Sequence, residues 1–163
     1  MTRVCAYMGV LLVLPITGAG AAHPPQLREG LWEIRVQSSE NSGGKKSDFV
    51  YKLCRDHAYD KRIDAVAKKN KNCATNLESL GDDRYSAASR CTADGIVIVS
   101  KGLSIYQNNI TVHTETVATY TPAFYGKTDE TMIQDQRYVG SCPVGVKPGD
   151  RIMADGRIVR QTK

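Results

Sequence analysis

The strongest constraint on this chain is a run of alternating stretches from residue 73 to residue 140, separated by turn residues at short intervals. Residues 75–80 and 84–91 flank Gly81-Asp82-Asp83. Residues 96–99 and 103–106 follow Ala93-Asp94-Gly95 and read as one long strand, with Gly102 as a bulge or bend. Gln107-Asn108-Asn109 precedes residues 110–120, where Ile110, Val112, Thr114, Thr116 and Ala118 share a face. Residues 121–127, with Pro122 and Gly126, read as a loop before a strand at 128–139. Connections this short leave antiparallel neighbours as the available pairing, so the chain should form a meander.

The same period appears earlier. Trp32, Ile34 and Val36 alternate with Glu33, Arg35 and Gln37, which predicts a strand at 30–37; Phe49, Tyr51 and Leu53 predict a second. The polar segment 38–46 between them reads as a loop. Residues 56–69 break the pattern: Tyr59, Ile63, Val66 and Ala67 recur at helical spacing, and Lys68-Lys69-Asn70-Lys71 suits a helix C-terminus. Near the end, Asp155-Gly156 between residues 151–153 and 157–159 predicts a two-residue hairpin. The expected class is all-β with one helix. An antiparallel meander should curl into a half-barrel, barrel or sandwich, with the helix over one opening or face.

Cysteines add a second constraint. Met1-Thr2-Arg3, the apolar run 4–16 and the small residues 17–22 make a secretory signal peptide, with cleavage after Ala21 or else Ala22. The run is short for a membrane span, and Cys5 sits too early in it for a lipoprotein. Removal of residues 1–21 leaves one domain, 22–163, with no second long apolar stretch, so the expected mature chain is soluble and periplasmic or secreted. It also discards Cys5, leaving Cys54, Cys73, Cys91 and Cys142 in an oxidising compartment. A hairpin folded about Asp82 places Cys73 opposite Cys91, which leaves Cys54 to pair with Cys142. The four are too widely spaced for a structural zinc site or a redox C-x-x-C motif.

These features together resemble the bacterial domain-of-unknown-function family 3617. The resemblance rests on Gly30-Leu31-Trp32-Glu33-Ile34, the four cysteines in order, Gly95, Gly140-Ser141-Cys142-Pro143, Lys147-Pro148-Gly149-Asp150 and Asp155-Gly156. It covers essentially the whole mature chain and departs from the family in the basic, polar segment before Cys73. It implies export and an envelope setting, and it supplies no reaction, ligand or catalytic residue.

Few residues suggest chemistry. His113 and Glu115 share a strand face, as a base with an orienting acid or as two metal ligands would. The plainer reading is a solvated polar face. His57, Asp60 and Asp64 lie on one helical stripe that could hold a cation, or is simply polar. Asn109-Ile110-Thr111 matches a glycosylation sequon, discounted for a bacterial chain. There is no nucleophile elbow, phosphate loop or dinucleotide fingerprint. The formal charge of +5 is not accompanied by the aromatic platform that single-stranded nucleic acid prefers; it could favour anionic lipid headgroups or envelope polymers, or serve solubility alone. The expectation is therefore a non-catalytic module without cofactor, binding an apolar small molecule or an envelope component, with no nucleic-acid partner. The alternative is a structural or interaction protein of the cell envelope acting through its surface.

Overall fold

A computed structural model describes residues 23–40, 44 and 46–160. The signal peptide and its cleavage residues Ala21 and Ala22 lie outside the described residues. Nine strands and one helix follow in the order β1 Gly30–Ser39, β2 Lys46–Arg55, α1 His57–Lys69, β3 Cys73–Gly81, β4 Arg84–Ala93, β5 Ile96–Gln107, β6 Thr111–Phe124, β7 Lys127–Gly140, β8 Arg151–Met153 and β9 Ile158–Val159. They form one antiparallel sheet ordered β3-β4-β5-β6-β7-β1-β2-β8-β9, which curls without closing. Within it β3 to β7 are the expected meander, and β1 enters between β7 and β2.

The turn chemistry works largely as the sequence indicates. Asp82 and Asp83 (φ 49° and 56°), Asp94 and Gly95 (φ 50° and 78°) and Asn108 and Asn109 (φ 48° and 60°) all lie in the left-handed region. That geometry matches the twist of the strands they join. Three readings need correction. Residues 121–127 are not a loop: β6 runs to Phe124 and turns through Tyr125 and Gly126 straight into β7. Pro122, whose peptide bond from Thr121 is cis, is tolerated because the β6–β7 ladder is interrupted between Thr119 and Phe124. Gly102 is neither bulge nor bend, since Ala87, Gly102 and Thr116 stand in unbroken register. A Cβ there would lie 2.9 Å from the Thr116 hydroxyl, so close packing accounts for the glycine. The last hairpin has three loop residues, because Met153 and Arg157 close it through a 2.9 Å bond. The strand ends also move: β1 reaches Ser39 and β2 starts at Lys46, so the segment between them is shorter than 38–46.

Both disulfides pair as expected. Cys73 and Cys91 are directly opposed in the β3–β4 register, and Cys54 joins Cys142 across 88 residues. The Cys54 main chain is also held by the Lys147-Pro148-Gly149-Asp150 turn. Its amide donates to the Asp150 carbonyl at 3.1 Å, and its carbonyl accepts from Gly149 at 2.7 Å. Asp150 is buried and closes that turn by accepting from the Lys147 amide at 2.9 Å.

Alternation gives the sheet two unlike faces. One carries Trp32, Ile34, Val36, Leu53 and Val112, which with Leu27 and Tyr59 of α1 make the buried cluster; Tyr51, Tyr106 and Tyr138 pack against it. Trp32 is fully buried and donates from Nε1 to the Arg28 carbonyl at 2.8 Å. The opposite face carries Glu33, Arg35, His113, Glu115, Asp135 and Arg137. Among the described residues no helix is long and apolar enough to cross a membrane.

Candidate functional site

On the charged face, the register places His113 opposite Asp135, and Asp135 opposite Arg35. His113 Nδ1 lies 2.6 Å from Asp135 Oδ1 and Nε2 lies 3.2 Å from Glu115 Oε1. The hydrogen bond to Asp135, then that to Glu115, raises the imidazole above its ordinary value of 6.5, against a small desolvation cost. With both ring nitrogens facing carboxylates, the surroundings favour the imidazolium, the form that can donate from both. Neither nitrogen keeps a lone pair directed at a substrate, and neither is bonded to a hydroxyl or thiol, so the base role would require dismantling the cluster.

The neighbouring charges are paired as well. Arg35 Nε meets Asp48 Oδ1 at 3.0 Å, and Arg137 donates to Glu33 at 2.7 and 2.9 Å. Glu33, Arg35, His113, Asp135 and Arg137 line an open depression of about 590 Å³. Asp135, Arg35, Glu33 and Arg137 were not singled out from the sequence. Their charge alternates along each strand, but Asp135 and Arg137 come beside His113 through the β6–β7 ladder, and Glu33 and Arg35 join them only through the β1–β7 pairing, between segments about a hundred residues apart.

Since the folded state raises the His113 value above 6.5, protonation adds stability that is fully present below about pH 6.5 and is lost as pH rises through the folded value. A proton NMR titration should therefore find the His113 ring midpoint above that of an ordinary histidine. In Asp135→Asn it should fall back towards 6.5. An unshifted midpoint in the parent chain would show that the cluster does not form.

His57 ties the start of α1 to the lead-in segment, its Nδ1 lying 3.2 Å from Glu29. Its Nε2 lies 3.0 Å from the Leu27 carbonyl, and its amide donates to Glu29 at 3.0 Å. Asp60 is held by Arg55 at 2.8 Å. The stripe His57, Asp60 and Asp64 is thus not gathered around one point. Among the described residues no group of three or more His, Cys, Asp or Glu side chains is placed to hold a metal ion.

A second arrangement lies on the other face and is built by α1. Asp56 caps the helix, its side chain accepting from the Tyr59 amide at 2.6 Å. The helix leaves β2 at the Trp32 end of the strands. The chain re-enters as β3 at the opposite sheet edge and the opposite strand end, where Cys73, Cys91, Ile98 and Tyr120 are in register. So α1 crosses this face diagonally. A disulfide stands just before it at Cys54 and another just after it at Cys73. Tyr59, Ile63 and Val66 form one helical stripe, yet their exposure rises from 7 % to 40 % to 63 %. The helix is therefore seated by its first turn and overhangs the sheet beyond it. Asp64 stays close enough to add to the effect of burial on the Tyr106 phenol, which is raised.

On β4, β5 and β6 the middle of this face bears small side chains. Ala87 and Ser89 on β4, Ser100, Gly102 and Ser104 on β5, and Thr114, Thr116 and Ala118 on β6 are all half-buried. Four of the five hydroxyls pair with one another, Ser89 with Ser100 at 2.7 Å and Ser104 with Thr114 at 3.0 Å. Among the described residues no buried side-chain polar atom is left without a partner. The result is a floor of short side chains with most of its hydroxyls already paired, under a strap tied at both ends.

This chain belongs to a family described as a protein of unknown function, DUF3617, whose model matches residues 27–142. That span takes in the strap, the floor, the charged face and all four cysteines. No curated protein matches the chain.

Proposed function

We propose that this member of a family without an assigned activity is an exported, non-catalytic module that binds an apolar small molecule between α1 and the small-residue floor. The observation that carries the reading is the overhang of α1: an apolar stripe that leaves the sheet progressively, above side chains too short to meet it. An apolar occupant suits the floor because four of its five hydroxyls are paired, so covering those four strands no hydrogen bond. Ile63 and Val66 would give up exposed apolar surface on binding, worth about 25 cal/mol per Å². Disulfides on both sides of α1 support work in an oxidising compartment, periplasmic or secreted. The absence of catalysis rests on the His113 cluster, whose groups are spent on one another.

A neutral fluorescent probe such as N-phenyl-1-naphthylamine should bind and brighten. Ser100→Leu with Ala118→Leu fills the floor and should weaken that binding by at least about tenfold, or 1.4 kcal/mol, with the thermal midpoint held or raised. Equal brightening by the filled variant, or none by the parent chain, would remove the proposal.

A further inference from the structure

The outer edge of the sheet is β3, nine residues whose far side meets no other strand among the described residues. Edge strands are normally shortened, bulged, or guarded by lysine or proline, because their free amides and carbonyls recruit other strands. The opposite edge follows that rule, with β9 only two residues long. β3 does not. It contains no proline and no lysine, its one charge is Glu78, and its irregularity is confined to the end, between Ser79 and Gly81. Leu77 and Leu80 are 37 % and 46 % exposed along it.

We propose that two copies of this chain pair antiparallel along β3, with the two-fold axis at Leu77. The Thr92 amide donates to the Asn72 carbonyl at 2.8 Å, which turns the even-numbered residues of β3 towards β4 and leaves Thr75, Leu77 and Ser79 directing their main-chain groups outward. A two-fold pairing must match outward residues with outward residues. Centring on Leu77 does so, placing Thr75 against Ser79, Leu77 against itself and Asn76 against Glu78. Centring on Glu78 would oppose two carboxylates.

Charge chooses a second copy of the chain as the occupant. Lys68, Lys69 and Lys71 stand just before β3, and Asp82 and Asp83 form the turn just after it. Antiparallel pairing sets the acidic turn of each copy beside the basic segment of the other, twice over. Asp82 lies 3.8 Å from Arg84, yet its side chain remains 93 % exposed, so it is available to that contact. Leu77 is on the same sheet face as the small-residue floor, so pairing would make that face continuous across the dimer.

Sedimentation velocity over a concentration series, on the full chain expressed with its own N-terminal segment, should show a monomer–dimer equilibrium that weakens with salt. Leu77→Lys sets two ammonium groups face to face and should weaken the dimer by at least about tenfold. Lys71→Asp and Asp83→Lys should each weaken it, and the two changes together in one chain should restore it. That restoration is not expected of variants that merely disturb the fold. A monomer at every concentration, a dimer indifferent to Leu77→Lys, or a double variant no better than the singles would each overturn the proposal.

Discussion

Trp32→Ala should bring the chain close to unfolding, with a loss of about 3–5 kcal/mol against the roughly 5–15 kcal/mol that holds a typical domain. Trp32 has no exposed surface and sits at the centre of the buried cluster. Tyr138 meets it edge to face at 6.2 Å, and the Arg55 guanidinium lies 5.3 Å above its ring. The indole also fastens the lead-in segment through the Arg28 carbonyl. Among the described residues this is the one buried hydrophobic cluster, so no second one is positioned to compensate. Trp32→Phe separates the two roles, because it keeps most of the apolar volume but strands the Arg28 carbonyl. It should cost about 1–3 kcal/mol. Urea unfolding followed by far-UV circular dichroism reads both, which matters because the chain has a single tryptophan. A loss below about 1 kcal/mol in Trp32→Ala, at the level of a surface substitution, would mean that the cluster is not the stabilising centre.

What the sequence revealed and what it hid divide along a physical line. Hairpins are local, and an alternating run with Asp, Asn or Gly at a left-handed turn carries its own register; β3, β4 and β5 were legible for that reason. The hairpin at Tyr125 and Gly126 was missed because an aromatic residue at φ 49° is outside the usual turn chemistry, and because Pro122 resembles a strand end. The disulfides were legible because one of them closes a hairpin, and the remaining pair followed. The charged face was only half legible. His113 and Glu115 are neighbours on one strand, whereas Asp135 reaches His113 across the ladder and Arg35 belongs to a pairing that no local signal encodes. Alternation also shows which residues share a face, but not what crosses above it. Ser100, Gly102, Ser104, Thr114 and Thr116 could be assigned to one side from the sequence. That α1 spans them at a slant follows only from β2 and β3 lying far apart in the sheet.

The same geometry makes the two disulfides unequal in a way that experiment can read. In the loop-entropy picture, the bond between Cys54 and Cys142, separated by 88 residues, contributes about 4–5 kcal/mol. The bond between Cys73 and Cys91, separated by 18, contributes about 3 kcal/mol. Their structural roles separate further. Cys54 is almost fully buried and lies just ahead of the helical turn that seats Tyr59 in the cluster. Cys54→Ser with Cys142→Ser should therefore lower global stability by the larger amount and speed amide exchange in the 143–150 turn that holds the Cys54 main chain. Cys73→Ser with Cys91→Ser frees the end of the strap that already overhangs. It should speed exchange in the last turns of α1 well beyond its global cost while the Trp32 cluster stays protected. Urea unfolding gives the global losses, and hydrogen exchange read by mass spectrometry gives the local ones. If the shorter loop proves the costlier to open, or if α1 exchanges no faster without Cys73–Cys91, then the helix is held by its own packing, and the strap that underlies the proposed binding site is not one.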